Sequence, residues 1–310
     1  MELGLMVEPQ MGGSYEDLLA LAVWAERSGL DVFARSDHYL NMDKAVEATD
    51  AFATLAGLAR DTDRIKLAVL VTPLTFRHPA VIAKTAATID QMSSGRLELG
   101  VGTGWMEPEH EAFGMELPPL AERFSRLFEV LAYCHAAFAE GARGYQGRHY
   151  RLAEIDVQPK PRNLPIIVGG SGKKKTPMMA GRFANEYNMF VTTPDELAPR
   201  LAVAHDAARD VDRDPADLLV SMVSSLFFGE TRADYDEQIA KAASKRDLSP
   251  AEFEQRLSDR GVPRGTPDEL RERLGVLEAA GVGRFYIQMF SPLAEIDTGL
   301  LDPAVAALRG

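Results

Sequence analysis

Short runs of β-branched residues and leucine alternate with longer amphipathic segments along the whole chain. This alternation is typical of βα units, whose strands lie parallel in one sheet. It predicts strands near 2–8, 30–35, 65–71, 96–101, 165–169, 186–191, 218–226 and 283–289. It predicts helices near 14–28, 49–60, 78–92, 119–139, 174–184, 194–210, 231–242 and 267–280. The pattern therefore indicates an α/β fold, a closed (β/α)8 TIM barrel that residues 1–310 form as one domain.

Two stretches exceed what a minimal barrel needs. Residues 141–164 alternate aromatic residues with glycine, which predicts a small hairpin, and residues 243–264 are charged with helical spacing. Barrel enzymes carry such insertions on the face where the carboxyl ends of the strands lie, so both stretches are expected on that face. They either help to cover a substrate or form passive surface elaborations.

Composition narrows the classes of partner. The net charge of −12 argues against nucleic acid as the main partner, because phosphate binding requires a strongly basic surface. Cys134 is the only cysteine and the six histidines are scattered, so we expect neither a disulfide nor a bound metal. The first residues lack the basic region of a signal peptide, and no apolar run is long enough to span a bilayer. We therefore expect a cytoplasmic protein that acts on a small molecule.

Polar residues at strand ends are the first candidates for chemistry, because the carboxyl ends of barrel strands meet at one mouth. Asp37 and His38 follow the second strand. A histidine there exchanges protons near neutral pH, and the adjacent carboxylate either orients it or binds a ligand; a purely structural hydrogen bond is the alternative. Glu109 starts a helix after the fourth strand, where a carboxylate serves as an acid or as a partner of the helix dipole.

Glycines follow the fourth and fifth strands. Gly100, Gly102 and Gly104 end the fourth strand, where the missing Cβ atoms allow a ligand to approach the backbone. Residues 169–172 are Gly-Gly-Ser-Gly, and three lysines at 173–175 come next. Lysines at the positive end of a helix dipole favour a bound anion, and glycine amides supply donors to it. The turn predicts a phosphate site, with a solvated basic turn as the alternative.

These motifs, taken in chain order, make the sequence similar to the bacterial luciferase-like monooxygenase superfamily over nearly its whole length. They are Ser36-Asp37-His38, Phe76-Arg77-His78-Pro79, Gly-Val-Gly-Thr-Gly-Trp-x-x-x-Glu-His at 100–110 and Gly-Gly-Ser-Gly-Lys-Lys-Lys at 169–175. Within the superfamily, the sequence most resembles the actinobacterial oxidoreductases that use the deazaflavin coenzyme F420 rather than FMN.

The resemblance implies a flavin-like ring in the barrel mouth, with its phosphate and oligoglutamate tail over the loop after the fifth strand. It also implies a non-prolyl cis peptide near Val69-Leu70 behind the ring. His38 is similar to the family histidine beside the ring, and His38 and Glu109 are the candidate catalytic residues. The candidate cofactor-binding residues are Asp37, Val69, Leu70, Thr103, Gly104, Gly169, Gly170, Ser171, Gly172 and Lys173.

One departure concerns the substrate. The family's sugar-phosphate dehydrogenases carry a glutamate directly after the Gly-Thr-Gly turn, where this chain has Trp105. That difference argues against glucose-6-phosphate as the substrate. We expect Trp105, Phe76 and Met289 to form a partly hydrophobic substrate pocket instead.

The leading hypothesis is hydride transfer between C5 of F420 and a small, partly hydrophobic organic substrate that carries an activated double bond, a carbonyl or an imine. One alternative is an FMN-dependent monooxygenase that works with a separate flavin reductase. Another is a non-catalytic protein that binds a flavin or F420. Because members of the family are often dimers, the resemblance also implies a homodimer.

Overall fold

Eight parallel strands close into one barrel in the computed structural model, which describes residues 1–42 and 44–309. The barrel strands and two short strand pairs are β1 (Glu2–Val7), β2 (Val32–Arg35), β3 (Lys66–Pro73), β4 (Leu97–Gly102), β5 (Arg143–Gln146), β6 (Arg151–Ile155), β7 (Ile166–Gly169), β8 (Glu186–Phe190), β9 (Leu219–Ser224), β10 (Phe227–Phe228), β11 (Arg264–Gly265) and β12 (Arg284–Met289). Around the barrel the order is β1-β12-β9-β8-β7-β4-β3-β2. The predicted (β/α)8 barrel and its eight strands are confirmed.

Helices cover the outside of the barrel. They are α1 (Tyr15–Arg27), α2 (Ala51–Asp61), α3 (Pro79–Met92), α4 (Glu107–Ala112), α5 (Leu120–Phe138), α6 (Lys175–Phe183), α7 (Pro194–Arg209), α8 (Arg232–Ser244), α9 (Pro250–Asp259), α10 (Pro267–Ala279) and α11 (Thr298–Arg309). Every predicted helix is present. The prediction did not include α4, whose six residues are too few to show a helical period, or α11, whose pattern Pro303 interrupts. No helix in the described part of the chain is both long and apolar enough to cross a membrane.

The two insertions lie outside the barrel cavity. The hairpin predicted within residues 141–164 is present as β5 and β6, and Glu129 of α5 accepts hydrogen bonds from the N–H groups of Arg148, His149 and Tyr150 in its turn. The hairpin joins α5 to β7, so the chain enters it from the amino-terminal end of the barrel rather than from the expected face. The stretch 243–264 contains α9 and ends at β11, which pairs with β10 after β9. Neither insertion contributes a residue to the cavity lining, which favours the surface alternative.

A buried ion cluster fills the amino-terminal end of the barrel. Arg284, the first residue of β12, donates to Glu98 at 2.6 Å, to Glu186 at 2.5 Å and to Glu2 at 2.7 Å. It also donates to the Tyr286 hydroxyl at 2.9 Å. The Arg284 guanidinium thus pairs with the buried Glu98 and Glu186 and with the partly exposed Glu2, to which Lys66 also binds. Breaking such a cluster costs more than breaking a surface pair. The cluster fills this end of the barrel interior with paired charges.

The Arg284 cluster generates a stability prediction. We expect Arg284→Met to lower the free energy of unfolding by roughly 3–5 kcal/mol, because it leaves the buried Glu186 carboxylate without its cation and Glu98 with Lys66 alone at 3.8 Å. Arg271→Met is the matched control, since Arg271 pairs with Asp268 at the surface. That control is expected to change stability by less than about 1 kcal/mol. Urea unfolding of both variants measures the difference, and equal losses would contradict the role given to the cluster.

Candidate functional site

A cavity of about 790 Å³ opens at the carboxyl ends of the barrel strands. Each of the eight strands contributes at least one lining residue at or just after its carboxyl end. Its volume lies within the range of small-molecule and cofactor sites. The cavity is therefore the candidate functional site, at the mouth that the sequence predicted.

His38 and Glu109 come together at this cavity. The Nδ1 atom of His38 lies 3.1 Å from Oε2 of Glu109, and both residues line the cavity. Oε1 of Glu109 accepts hydrogen bonds from the N–H groups of Tyr39 and Leu40. With Nδ1 committed to Glu109, Nε2 is the ring nitrogen that is left for a ligand. The carboxylate therefore fixes both the chain after β2 and the orientation of the imidazole.

The two groups shift each other's pKa. Burial of His38 disfavours its charged form, but the hydrogen bond and negative charge of Glu109, together with the charges of Glu8 and Asp37, outweigh burial and raise the pKa of His38 above its usual value. Burial alone would raise the pKa of Glu109, yet His38 and the two backbone donors hold it below 4.5. The interaction favours the imidazolium form of His38, and in that form a ligand at Nε2 can receive its proton.

Asp37 lies beneath the cavity and not in its lining. Its carboxylate is fully buried against Arg77, with Nη1 to Oδ2 at 2.5 Å, and Arg77 also contacts Asp50 and the Tyr39 hydroxyl. These contacts hold the loop after β2 against the start of α3. Asp37 supports the segment that carries His38, and the expectation that it touches a cofactor is not supported.

The end of β3 forms an irregular bulge beside the cavity. The cis peptide lies at Leu70–Val71, one residue later than expected, and the register of β3 against β4 shifts between Val69 and Thr72. Leu70 and Val71 line the cavity. Val69 packs in the outer core against the helices, because strand side chains alternate in direction. Val71 therefore takes the place that the sequence assigned to Val69.

The bulge explains most of the glycines on the neighbouring strands. A Cβ atom at Gly100 would lie 2.1 Å from the Val69 carbonyl oxygen. Cβ atoms at Gly102 and Gly169 would lie 2.7 and 2.8 Å from the methyl groups of Val71. The glycine spacing thus first accommodates β3 and only then shapes the cavity. Thr103 and Gly104, at the end of the same run, line the cavity as predicted.

The loop after β7 lines one edge of the cavity. Its lining residues are Gly169, Gly170, Ser171, Gly172 and Thr176. Helix α6 follows without a side-chain cap, so no side chain occupies the N–H groups of its first turn. Lys173 lies outside the lining, with its side chain 75% exposed and its Nζ 4.0 Å from Glu196. The loop offers backbone donors to an anion at the cavity edge, and Lys173 stands beyond that edge.

Arg123 is a site residue that the sequence did not reveal. It reaches the cavity from α5, where Nε donates to the Pro118 carbonyl at 2.8 Å and Nη1 donates to the Gly104 carbonyl. It has no carboxylate partner in the ranges that the structure describes. A cation paired only with carbonyl groups retains affinity for an anion. Its position early in a long amphipathic helix gave no signal, because the helical period does not tell how far a side chain extends.

The rim of the mouth is apolar. Trp105 is 62% exposed, and its ring meets His38 edge to face at a centroid distance of 5.7 Å. Phe190 and Phe290 are also more than half exposed and line the cavity. The expected contributors Phe76 and Met289 do not belong to the lining. Phe76 stacks on Tyr39, and Met289 packs against the outer core because it alternates with Gln288 and Phe290.

A second polar group was also missed. Oε1 and Oε2 of Glu8 accept hydrogen bonds from Gln288 at 2.5 Å and from Gln10 at 2.6 Å. Ser36 donates to the Gln10 side chain at 2.7 Å. All four side chains are buried and line the cavity. The available signal was a polar residue at the end of an otherwise apolar strand, as at Glu8 after β1 and Gln288 within β12.

The chain is similar in sequence to a known family and to several known enzymes. The sequence model of the family described as luciferase-like monooxygenase matches residues 1–284. An F420-dependent glucose-6-phosphate dehydrogenase of Microbacterium testaceum (strain StLB037) is 37% identical over 175 residues, covering 55% of this chain and 51% of the relative. A pyrimidine monooxygenase of Yersinia enterocolitica serotype O:8 / biotype 1B (strain NCTC 13174 / 8081) is 30% identical over 201 residues, covering 62% and 52%. The chain thus spans about half the length of these relatives.

Similarity to solved structures supports the fold. An F420-dependent secondary alcohol dehydrogenase, solved with an F420–acetone adduct, superimposes with a TM-score of 0.80. The match covers 100% of this chain and 99% of the other at 20% sequence identity. At that identity the similarity concerns the barrel and not its chemistry.

The His38–Glu109 pair generates a titration prediction. Glu109→Gln is expected to lower the pKa of His38 by about one unit or more, because it removes the negative charge that stabilises the imidazolium. Glu111→Gln, on the exposed side of the same helix, is the matched control and is expected to leave that pKa unchanged. NMR titration of the histidine ring signals measures both. An unchanged His38 pKa in Glu109→Gln would contradict the pairing.

Proposed function

This chain belongs to the luciferase-like monooxygenase family, and on that premise we propose that it is an F420-dependent oxidoreductase. The proposed reaction is hydride transfer between C5 of the deazaflavin and a small, partly hydrophobic organic substrate. The observation that carries the proposal is the continuity of one cavity from His38 to the loop before α6. A proton-holding group and an anion-binding edge thus adjoin the same space.

The residues of the cavity fit this cofactor. Leu70 and Val71 offer an apolar surface on which an aromatic ring would lie, beside backbone that glycine leaves open. The loop at 169–172, the uncapped start of α6 and Arg123 offer donors and positive charge to a phosphate. The exposed lysines at 173–175 would meet an anionic tail that leaves the cavity.

When bound, the deazaflavin supplies a carbon centre that exchanges hydride in two-electron steps. The chain's own residues bind and orient the substrate and hold the proton. Glu109 favours the protonated form of His38, and Nε2 of His38 would donate to a substrate atom that gains negative charge. The exposed ring of Trp105 meets the His38 ring edge to face at the rim of the cavity.

An FMN-dependent monooxygenase is the second candidate, because a pyrimidine monooxygenase is among the relatives. It shares the barrel and the phosphate-binding loop. The three lysines favour F420, since FMN ends in a single phosphate while the F420 tail adds further carboxylates along the exposed surface. Trp105 stands where the family's sugar-phosphate dehydrogenases carry glutamate, so the proposal does not extend to glucose-6-phosphate.

Two further parts accompany the cofactor proposal. They are a homodimer and a cytoplasmic location. Sedimentation equilibrium and cell fractionation check them. A non-catalytic binding protein would retain F420 binding without turnover, and the His38–Glu109 pair argues against it because a mere binding site needs no group that holds a proton.

Cofactor titration tests the proposal. We expect F420 to bind about tenfold more tightly than FMN, since its longer tail meets the lysines. Alanine substitution of Lys173, Lys174 and Lys175 together is expected to weaken F420 binding by about tenfold and FMN binding by much less. Cofactor fluorescence at low and moderate salt measures both affinities.

The matched control removes the same charge elsewhere. Alanine substitution of Lys241, Lys245 and Arg260, which are exposed and do not line the cavity, is expected to leave F420 binding unchanged. Preferential binding of FMN together with oxygen uptake would overturn the F420 proposal and favour the monooxygenase.

A further inference from the structure

The polar group around Glu8 forms a side of the cavity that the cofactor proposal does not use. We call Glu8, Gln10, Ser36 and Gln288 the Glu8 side. The Glu8 carboxylate is only 4% exposed, and both of its oxygens are held by side-chain amides. Among the residues that the structure describes, it has no cationic partner within ion-pair distance. A buried carboxylate that only neutral amides satisfy favours an incoming cation or hydrogen-bond donor.

The barrel order places this group across from the cofactor candidates. Strands four positions apart in an eight-stranded closed barrel face each other. In this order β1 stands opposite β7, and β12 stands opposite β4. Glu8 directly follows β1 and Gln288 lies in β12, whereas Gly102 and Gly169 end β4 and β7. A cofactor on the glycine side would leave the Glu8 side to the substrate.

The other titratable groups of the lining make direct contacts with residues other than Glu8. Glu109 pairs with His38 at 3.1 Å. His110 contacts the Thr75 hydroxyl at 2.7 Å and the Met106 carbonyl at 2.7 Å. Arg123 bonds backbone carbonyls on the glycine side. Among the described residues, Glu8 is therefore the lining carboxylate that has no direct ion pair, although its negative charge also helps to raise the pKa of His38.

The Glu8 carboxylate can accept further hydrogen bonds from a ligand. Each carboxylate oxygen accepts about two hydrogen bonds, and one amide occupies each oxygen. The amides also restrict rotation of the carboxylate, so its free lone pairs have a fixed direction. An anionic head group would be repelled here, whereas a protonated nitrogen would gain a charge-assisted hydrogen bond.

We propose that Glu8 selects substrates carrying a protonated nitrogen, which its carboxylate binds while the apolar body of the substrate lies toward Trp105, Phe190 and Phe290 at the rim. The inference rests on the proposed function, because it is the cofactor on the glycine side that leaves this side to the substrate. It adds a head-group requirement to a substrate class that the rim alone defines as partly hydrophobic.

Three probes with one apolar body and different head groups test the proposal. They are phenethylammonium, phenethyl alcohol and phenylacetate, titrated by calorimetry with F420 present and again without it. The wild-type protein is expected to bind the ammonium probe about tenfold or more tightly than the carboxylate, with the alcohol between them. In Glu8→Gln, which keeps the side-chain size, the difference between ammonium and carboxylate is expected to shrink below about threefold.

A control and a location readout accompany the titrations. Glu111→Gln removes an exposed carboxylate from α4 and is expected to keep the wild-type ranking. Trp24 donates to Asp302 on the outer surface, so in a Trp24→Phe background the remaining tryptophan signal comes from Trp105 at the rim. Probe binding in the cavity is expected to change that signal.

Three results would overturn the inference. They are phenylacetate binding as tightly as the ammonium probe, no ammonium binding in the wild type, and a wild-type ranking that persists in Glu8→Gln. The first two need no variant, so they decide the matter even where Glu8→Gln fails to fold. Absence of F420 binding would instead overturn the cofactor proposal, and the ranking measured without F420 separates the two failures.

Discussion

The bulge at the end of β3 is the constraint on which the cavity depends. It brings the Val71 side chain close to β4 and β7. Cβ atoms added at Gly102 and Gly169 would lie 2.7 and 2.8 Å from the methyl groups of Val71. Real Cβ atoms do not approach other atoms that closely, so β4 and β7 must carry glycine where they pass the bulge. One side of the barrel mouth therefore consists of backbone with few side chains, and a flat ligand can approach it.

The opposite side of the mouth has a different character. There the strands end in side chains with hydrogen-bonding groups, and two side-chain amides hold the Glu8 carboxylate. Between the two sides stands His38, held by Glu109 through Nδ1. The cavity thus combines an open backbone surface, a group that carries a proton and a fixed carboxylate. Because these come from different strands, the closed barrel itself sets their separation.

The fold was predictable because it depends on patterns that extend over many residues. Eight apolar runs separated by amphipathic segments predict parallel strands wherever the exact boundaries lie. The hairpin at 141–164 was predictable for a similar reason, from its local turn chemistry. Its place along α5 was not, because packing against Glu129 is a contact between distant parts of the chain.

The site was predictable only in part, because it depends on single side-chain directions. His38, Glu109 and the glycine loops lie at the cavity, since any residue just past a strand end has a good chance of reaching the mouth. Val69 and Met289 each stand next to a residue that lines the cavity. Because side chains alternate along a strand, their own side chains pack in the outer core. Asp37 misses it because Arg77, forty residues away along the chain, binds its carboxylate.

The arrangement of the two sides is the central claim, and a crystal structure with bound F420 tests it most directly. The account predicts that the deazaflavin ring contacts Leu70 and Val71, that the phosphate meets the backbone at 169–172, and that the space beside Glu8 holds no part of the cofactor. A ring or tail bound against Glu8 and Gln288 would contradict the account, because the side assigned to the substrate would then belong to the cofactor.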